Sequence, residues 1–236
     1  MKKQHATADL NLDELRDRLL DAALVHVPFD GWTAAVLNAA ARDLGISHAQ
    51  ALAAFPGGAA DMIDYWNRRS DERMLQQLAE RDLSELRYRD RVALAVRLRL
   101  EAAGHREAVR RGLAYLSMPQ NAALAARCLY RTVDTIWHGL GDRSTDFSFY
   151  TKRALLAGVY SATVLYWLDD RSEGSAATWA FLDRRIDDVM KIGKAREGLE
   201  RLAERLNPFS ARRPLTRASR RMRRTGRPRD RATSAG

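Results

Sequence analysis

The sequence predicts an all-α bundle, and three observations carry that reading. Apolar residues recur at three- and four-residue spacings along nearly the whole chain, Pro and Gly fall between these runs, and no stretch alternates polar and apolar as a half-buried strand does. The periodic runs place helices near residues 12–27, 33–43, 47–54, 59–80, 84–103, 106–117, 120–138, 147–169, 175–193 and 195–206. Asn11, Thr33 and Ser47 stand where a side-chain oxygen can accept from the first free N–H groups of a helix. Pro119, after Met118, opens a new helix at the position where a missing N–H costs nothing. Ala154–Leu168 (ALLAGVYSATVLYWL) runs 15 residues without a charge. A helix apolar on every face must be buried, and this one falls short of the ~20 residues that span a bilayer. It is expected at the centre of a fold.

A chain of 236 residues holds one large helical domain or two small ones. The start, MKKQHATADLNLDELRDRLL, carries acids early and lacks the apolar core of a secretory signal. The single cysteine, Cys128, lies inside an apolar helical stripe, which suits a reducing compartment. These features point to the bacterial cytoplasm. The net charge of +10 is unevenly distributed. Residues 207–236 hold ten Arg and one Asp, a balance of +9, which leaves about +1 for everything before them. Residues 210–236 are also poor in apolar side chains, too poor to offset the entropy of ordering, and are expected to be a disordered Arg-rich tail. Such a tail is a solubilising extension or an attractor of anionic lipid or nucleic acid.

Residues 13–66 (DELRDRLLDAALVHVPFDGWTAAVLNAAARDLGISHAQALAAFPGGAADMIDYW) resemble the tetracycline-repressor-type helix-turn-helix. Ala41-Arg-Asp-Leu-Gly45-Ile-Ser47 matches its tight turn, and Ala54-Phe55-Pro56 its closing element. The small alanine and the turn glycine are what two closely crossing helices require. A DNA reader must also offer cations to phosphate and donors to base edges. Between Arg42 and Arg68 there is no Lys or Arg, and the recognition-helix segment SHAQALAAF offers only Ser47, His48 and Gln50. The head, residues 11–57, is therefore read as degenerate, with no specific DNA binding expected.

No set of residues marks a catalyst. His5, His26, His48, His105 and His138 are scattered, no Glu precedes a His by three residues, and neither a Walker loop nor a Gly-x-Ser-x-Gly elbow is present. Glu101 and His105 are four apart on a helix, half a metal site at most, and a solvated pair otherwise. The reading is of a non-enzyme without cofactor or metal.

The second half carries a sharper signal. Pro119-Gln-Asn121, Asp134-Thr-Ile-Trp-His138, Gly141-Asp-Arg-Ser-Thr-Asp-Phe147, Tyr150-Thr-Lys-Arg153 and Thr178-Trp-Ala-Phe-Leu182 closely resemble blocks of the ubiquinone-biosynthesis accessory family of the Coq series, the ninth member. The similarity covers about residues 11–210 and is strongest over 113–193. The resemblance implies a repressor-like helical homodimer that binds isoprenoid quinone or phospholipid. It further implies peripheral attachment to a membrane surface, here the bacterial inner membrane, and presentation of substrate to the demethoxyubiquinone hydroxylase. Its helical lipid-binding domain is expected at residues 58–193. There Leu129, Val133, Trp137, Leu155, Val159, Val164 and Trp167 either line a long apolar cavity or fill a core or dimer interface. The resemblance favours the cavity, in which each buried methylene of a prenyl tail gains about 0.8 kcal/mol.

It also implies that Asp146, Phe149 and Tyr150 dock the hydroxylase, although Phe149 stands where eukaryotic members commonly have Trp and so lacks the indole donor. Residues 194–209 (KAREGLERLAERLNPF) set Leu199, Leu202, Leu206 and Phe209 on one helical face, flanked by Lys194, Arg201 and Arg205. That pattern is an interfacial amphipathic helix or a helix packed on its own domain, and the resemblance favours the membrane. The alternative from a different class is a repressor of the tetracycline type answering a hydrophobic ligand.

Overall fold

Why these residues form these helices is visible at their ends. The computed structural model describes residues 11–142 and 147–206, with side chains given for 11–142 and 150–191. Asn11 caps α1 (Leu12–Asp30) by accepting from the Asp13 N–H at 3.3 Å. α1 runs three residues past the expected end, because Pro28 falls in its last turn, where the loss of one backbone bond is tolerated. Thr33 caps α2 (Ala34–Leu44) through the Val36 N–H, and Gly45 ends it in the left-handed conformation, φ 67°. The N–H groups of Gly45 and Ile46 close back on the carbonyls of Arg42 and Ala41. Ser47 and Gln50 form a reciprocal capping box on α3 (His48–Ala54). These three helices make the head.

The body follows with α4 (Ala59–Ala79), α5 (Tyr88–Ala103), α6 (Arg106–Leu116), α7 (Ala122–Gly139), α8 (Phe147–Asp169) and α9 (Ala176–Leu206). Short 3-10 turns at Pro119–Asn121 and Glu173–Ser175 precede α7 and α9. No strand occurs among the described residues. α5 begins four residues later than its periodicity suggests. The Asp82 carboxylate accepts from the Ser84 N–H at 2.8 Å, a local bond that competes with helix. The expected break near residue 194 is absent from the backbone, which continues as one helix to Leu206.

The described residues divide into two units, 11–192 and 193–206. In the first, head and body share one core. α1 packs on α2 and α6, α4 lies against α5 and α7, and α7 meets α8. Trp32 of the head packs on Trp66 of α4 with ring centroids 5.1 Å apart and planes tilted by 35°, and donates its indole N–H to the Ala108 carbonyl at 3.1 Å. Gly112 permits this approach, since a Cβ there would meet both rings at 3.4 Å.

α8 departs from the expectation of burial on every face. Leu156, Val159, Thr163, Val164, Trp167 and Leu168 are buried, whereas Ala154, Gly158, Leu165 (61% exposed) and Tyr166 (39%) face outward. No helix among the described residues is long and apolar enough to cross a membrane.

Candidate functional site

Five helices of the body turn one stripe each toward a common space of about 390 Å³. The spacing is helical in every case. α4 supplies Ile63, Trp66, Asn67 and Ser70; α6 supplies Val109, Gly112, Leu113 and Leu116; α7 supplies Ala125, Cys128, Leu129 and Thr132. α5 adds Arg99, Leu100 and Ala103, and α8 adds Tyr160, Ser161, Val164 and Leu165. The volume lies toward the small end of the roughly 300–1,000 Å³ typical of small-molecule sites.

A buried ion pair borders this space. Arg99 Nε donates to Asp71 Oδ1 at 2.5 Å, and both side chains are nearly sealed from solvent (4% and 3% exposed). Asp71 also accepts from the Thr132 hydroxyl at 2.8 Å, and Arg99 Nη2 reaches the Asn67 amide oxygen at 2.7 Å. Arg131 stands 3.6 Å from Asp71 and is itself held by Asp64 at 3.1 Å. Burial pushes the Cys128 thiol up to about 11, with Asp64 beside it adding to the effect, so the thiol stays protonated and unreactive at neutral pH. Burial likewise raises the Tyr160 phenol.

Of the residues expected to meet a lipid, Leu129 and Val164 line the cavity. Val133, Trp137, Val159 and Trp167 are buried in the core outside its lining, and Leu155 is half-buried and also outside it. α7 and α8 each bury more than one stripe, and apolar character alone does not say which of them meets empty space. The walls from α4, α5 and α6 went unread. Their one sequence signal is polar residues at helical spacing, Asn67, Ser70 and Asp71, inside an otherwise buried stripe.

Tyr150 is 70% exposed near the start of α8. Asp146, the side chain of Phe149, the side chains of Lys194, Leu199, Arg201, Leu202, Arg205 and Leu206, and Phe209 lie outside what the structure describes. In the head, Ser47 and Gln50 are engaged with each other and His48 contacts Asn38 at 2.7 Å, so the polar groups of α3 are taken up locally. Glu101 pairs with Arg97 at 2.8 Å, and among the described residues no group of three His, Cys, Asp or Glu is placed to hold a metal.

The signature blocks of the second half turn out to fasten turns. The Asp142 carboxylate meets Lys152 at 3.0 Å and Arg153 at 3.7 Å, and Arg153 reaches back to Asp134 at 2.7 Å. Asp170 accepts from the Ser172 N–H at 2.7 Å and from the Thr178 N–H and hydroxyl at 2.9 and 2.5 Å, which fixes the α8–α9 turn. Asn121 donates to the Tyr115 carbonyl at 2.8 Å, between α6 and α7.

The COQ9 family model matches residues 122–193. The mitochondrial ubiquinone biosynthesis protein COQ9 of Rattus norvegicus is 36% identical over 205 residues, covering 82% of this chain and 64% of its own length. The Homo sapiens protein is 34% identical, with shares of 82% and 63%. The probable mitochondrial protein of Dictyostelium discoideum is 28% identical, with 79% and 63%. The chain thus spans less than two thirds of the length of these relatives. In fold it is similar to a TetR transcriptional regulator from Nitrosomonas europaea, with a TM-score of 0.62 at 22% identity, covering 75% of this chain and 98% of that one. This bears out the tetracycline-repressor-like bundle.

The expected bacterial cytoplasmic location is overturned, because the relatives are mitochondrial proteins. A lone buried cysteine argues against a disulfide framework but does not distinguish one reducing compartment from another. Residues 122–193 match the COQ9 family model, and over most of its own length the chain is similar to mitochondrial ubiquinone biosynthesis proteins COQ9.

Proposed function

We propose that this chain serves ubiquinone biosynthesis as a non-enzymatic accessory protein. In this reading it holds an isoprenoid quinone intermediate in the five-helix cavity and presents it to the demethoxyubiquinone hydroxylase at a membrane surface. The observation that carries the reading is the cavity itself, apolar over most of its lining. A phospholipid is the competing occupant. Native mass spectrometry of protein purified under mild conditions tests the proposal: a co-purified quinone is expected, and Val164→Asp, with helicity unchanged by circular dichroism, removes it. Lipid-free, fully folded wild-type protein would overturn it.

The remaining roles belong to the same proposal. Asp146, Phe149 and the exposed Tyr150 dock the hydroxylase, so Phe149→Lys causes demethoxyubiquinone to accumulate in cells; an unchanged quinone profile removes the patch. The uncharged outer face of α8 at Ala154, Gly158 and Leu165 is the surface proposed for a homodimer. Gly158→Lys should then yield monomer by sedimentation, and a dimer that survives it uses another face. The repressor alternative gains no support from α3, which carries no cation.

A further inference from the structure

The cavity is not uniform along its length. Ser70, Arg99, Thr132 and Tyr160 come from four different helices, yet they meet at one level. Asp71, next to Ser70, bonds both Arg99 and Thr132, and the charges of Arg99 and Asp71 both act on the Tyr160 phenol. Moving away from that level, the lining becomes apolar on each helix: Ile63 on α4, Ala103 on α5, Ala125 on α7 and Val164 on α8. The lining residues that are exposed, Ser117 and Leu165, mark where the space opens. Floor and opening therefore differ in chemistry.

Two donors at the floor lack a protein acceptor. Arg99 spends Nε on Asp71 and Nη2 on Asn67, and its Nη1 has no hydrogen-bond partner among the described residues; nor has the Tyr160 hydroxyl. Asp71 offsets Arg99 at the floor itself, and Asp64 is shared by Arg131 and the exposed Arg127. A floor with free donors and little net charge suits neutral oxygen acceptors, such as carbonyl or ether oxygens on a ring, and gives an anionic headgroup little counter-charge. A hydrocarbon chain in the same place would leave both donors unpaired where water is excluded.

We propose that the cavity takes its ligand ring-first, seating a neutral oxygen-bearing quinoid ring on Tyr160 and Arg99 while the apolar tail leaves past Leu113, Leu116 and Leu165. This deepens, and rests on, the reading of the chain as a quinone binder. A volume of about 390 Å³ has no room for both a substituted ring and a long prenyl tail, so one end of the ligand must lie outside. The exposed Met118 and Tyr166 adjoin the exit in sequence and offer apolar surface to that end.

The test compares two probes on wild type and Tyr160→Phe, which keeps the ring in the fold and removes only the hydroxyl. The probes are a benzoquinone bearing two isoprene units, and farnesol, which has an isoprenoid tail and no ring. Isothermal titration in detergent at matched concentration is expected to show benzoquinone binding weakened about five- to tenfold by the substitution, the worth of one hydrogen bond, with farnesol unchanged. Equal weakening of both probes, or of neither, overturns the ring-first orientation while leaving lipid binding in place. Failure of wild type to bind either probe overturns the quinone-binding reading itself, and the orientation with it.

Discussion

Replacing Asp71 by Leu should be among the most damaging single changes in this protein, although Asp71 touches solvent hardly at all. Its carboxylate is the partner of a guanidinium 2.5 Å away that is just as deeply buried, and it also takes the Thr132 hydroxyl at 2.8 Å. The substitution strands the Arg99 charge where its side chain is only 4% exposed. Breaking such a buried pair from one side costs about 3–5 kcal/mol. At roughly 2–4 °C per kcal/mol for a chain of this size, the melting temperature should fall by about 6–20 °C.

The double variant Asp71→Leu with Arg99→Met removes both charges at once. Buried pairs exchanged for apolar residues of similar volume are often neutral in stability, so the double variant should melt well above the single one. Because the pair is sealed, raising salt from low to physiological strength should move none of these melting temperatures much, whereas an exposed pair would weaken. Thermal melts by circular dichroism, repeated in urea, supply all the comparisons. Additive losses, with the double variant as unstable as the sum of its singles, would refute the argument that burial of the unpaired charge is the dominant cost.

Three further changes have defined outcomes. The Asp170 carboxylate is held well below the ordinary range by hydrogen bonds from Ser172 and then Thr178, so its contribution is fully present above about pH 4 and lost as pH falls toward its folded value. Asp170→Asn should therefore melt below wild type at pH 7, and the gap should close on acidification. Cys128, its thiol raised to about 11 by burial, should react with a thiol-specific disulfide reagent far more slowly at neutral pH than it does in denaturant. Leu202→Glu with Leu206→Glu should abolish liposome flotation at any ionic strength if residues 194–209 insert an apolar face, whereas deleting residues 211–236 should matter mainly for anionic liposomes at low salt. A double Glu variant that floats like wild type would assign membrane attachment to the arginines alone.

What was legible in the sequence divides along physical lines. Caps were legible, because Asn11, Thr33 and Ser47 act through atoms two or three residues away. The start of α5 was not, because one Asp82–Ser84 bond outweighed a helical period that continues across it. Burial of α8 was half legible: an uncharged run makes an outward face affordable without marking it, so Leu165 and Tyr166 were expected inside. The cavity was least legible. Val159 and Val164 lie on the same helix, equally apolar and nearly equally buried, yet only Val164 borders the empty space. Whether a side chain meets a neighbour or a void depends on how five helices are spaced, and no single helix encodes that.

The residues that identify this family and the residues that would choose its ligand are largely different sets. Asp134, Asp142, Lys152 and Arg153 tie α7 to α8, and Asp170 with Thr178 shapes the turn into α9. These are charged or hydroxyl groups held in specific ion pairs and hydrogen bonds. The matched segment 122–193 contains only the α7 and α8 walls of the cavity. Trp66, Asn67, Arg99 and Leu113, which complete it, come from α4, α5 and α6, outside that match. A relative could keep every signature residue and still exchange Asn67 or Leu113, altering the floor or the exit without disturbing the scaffold. On the proposed reading of the cavity as a quinone site, ligand preference should follow the stripes of α4 to α6, and grafting Ile63, Trp66, Asn67, Leu113 and Leu116 from a similar protein should carry its preference with it.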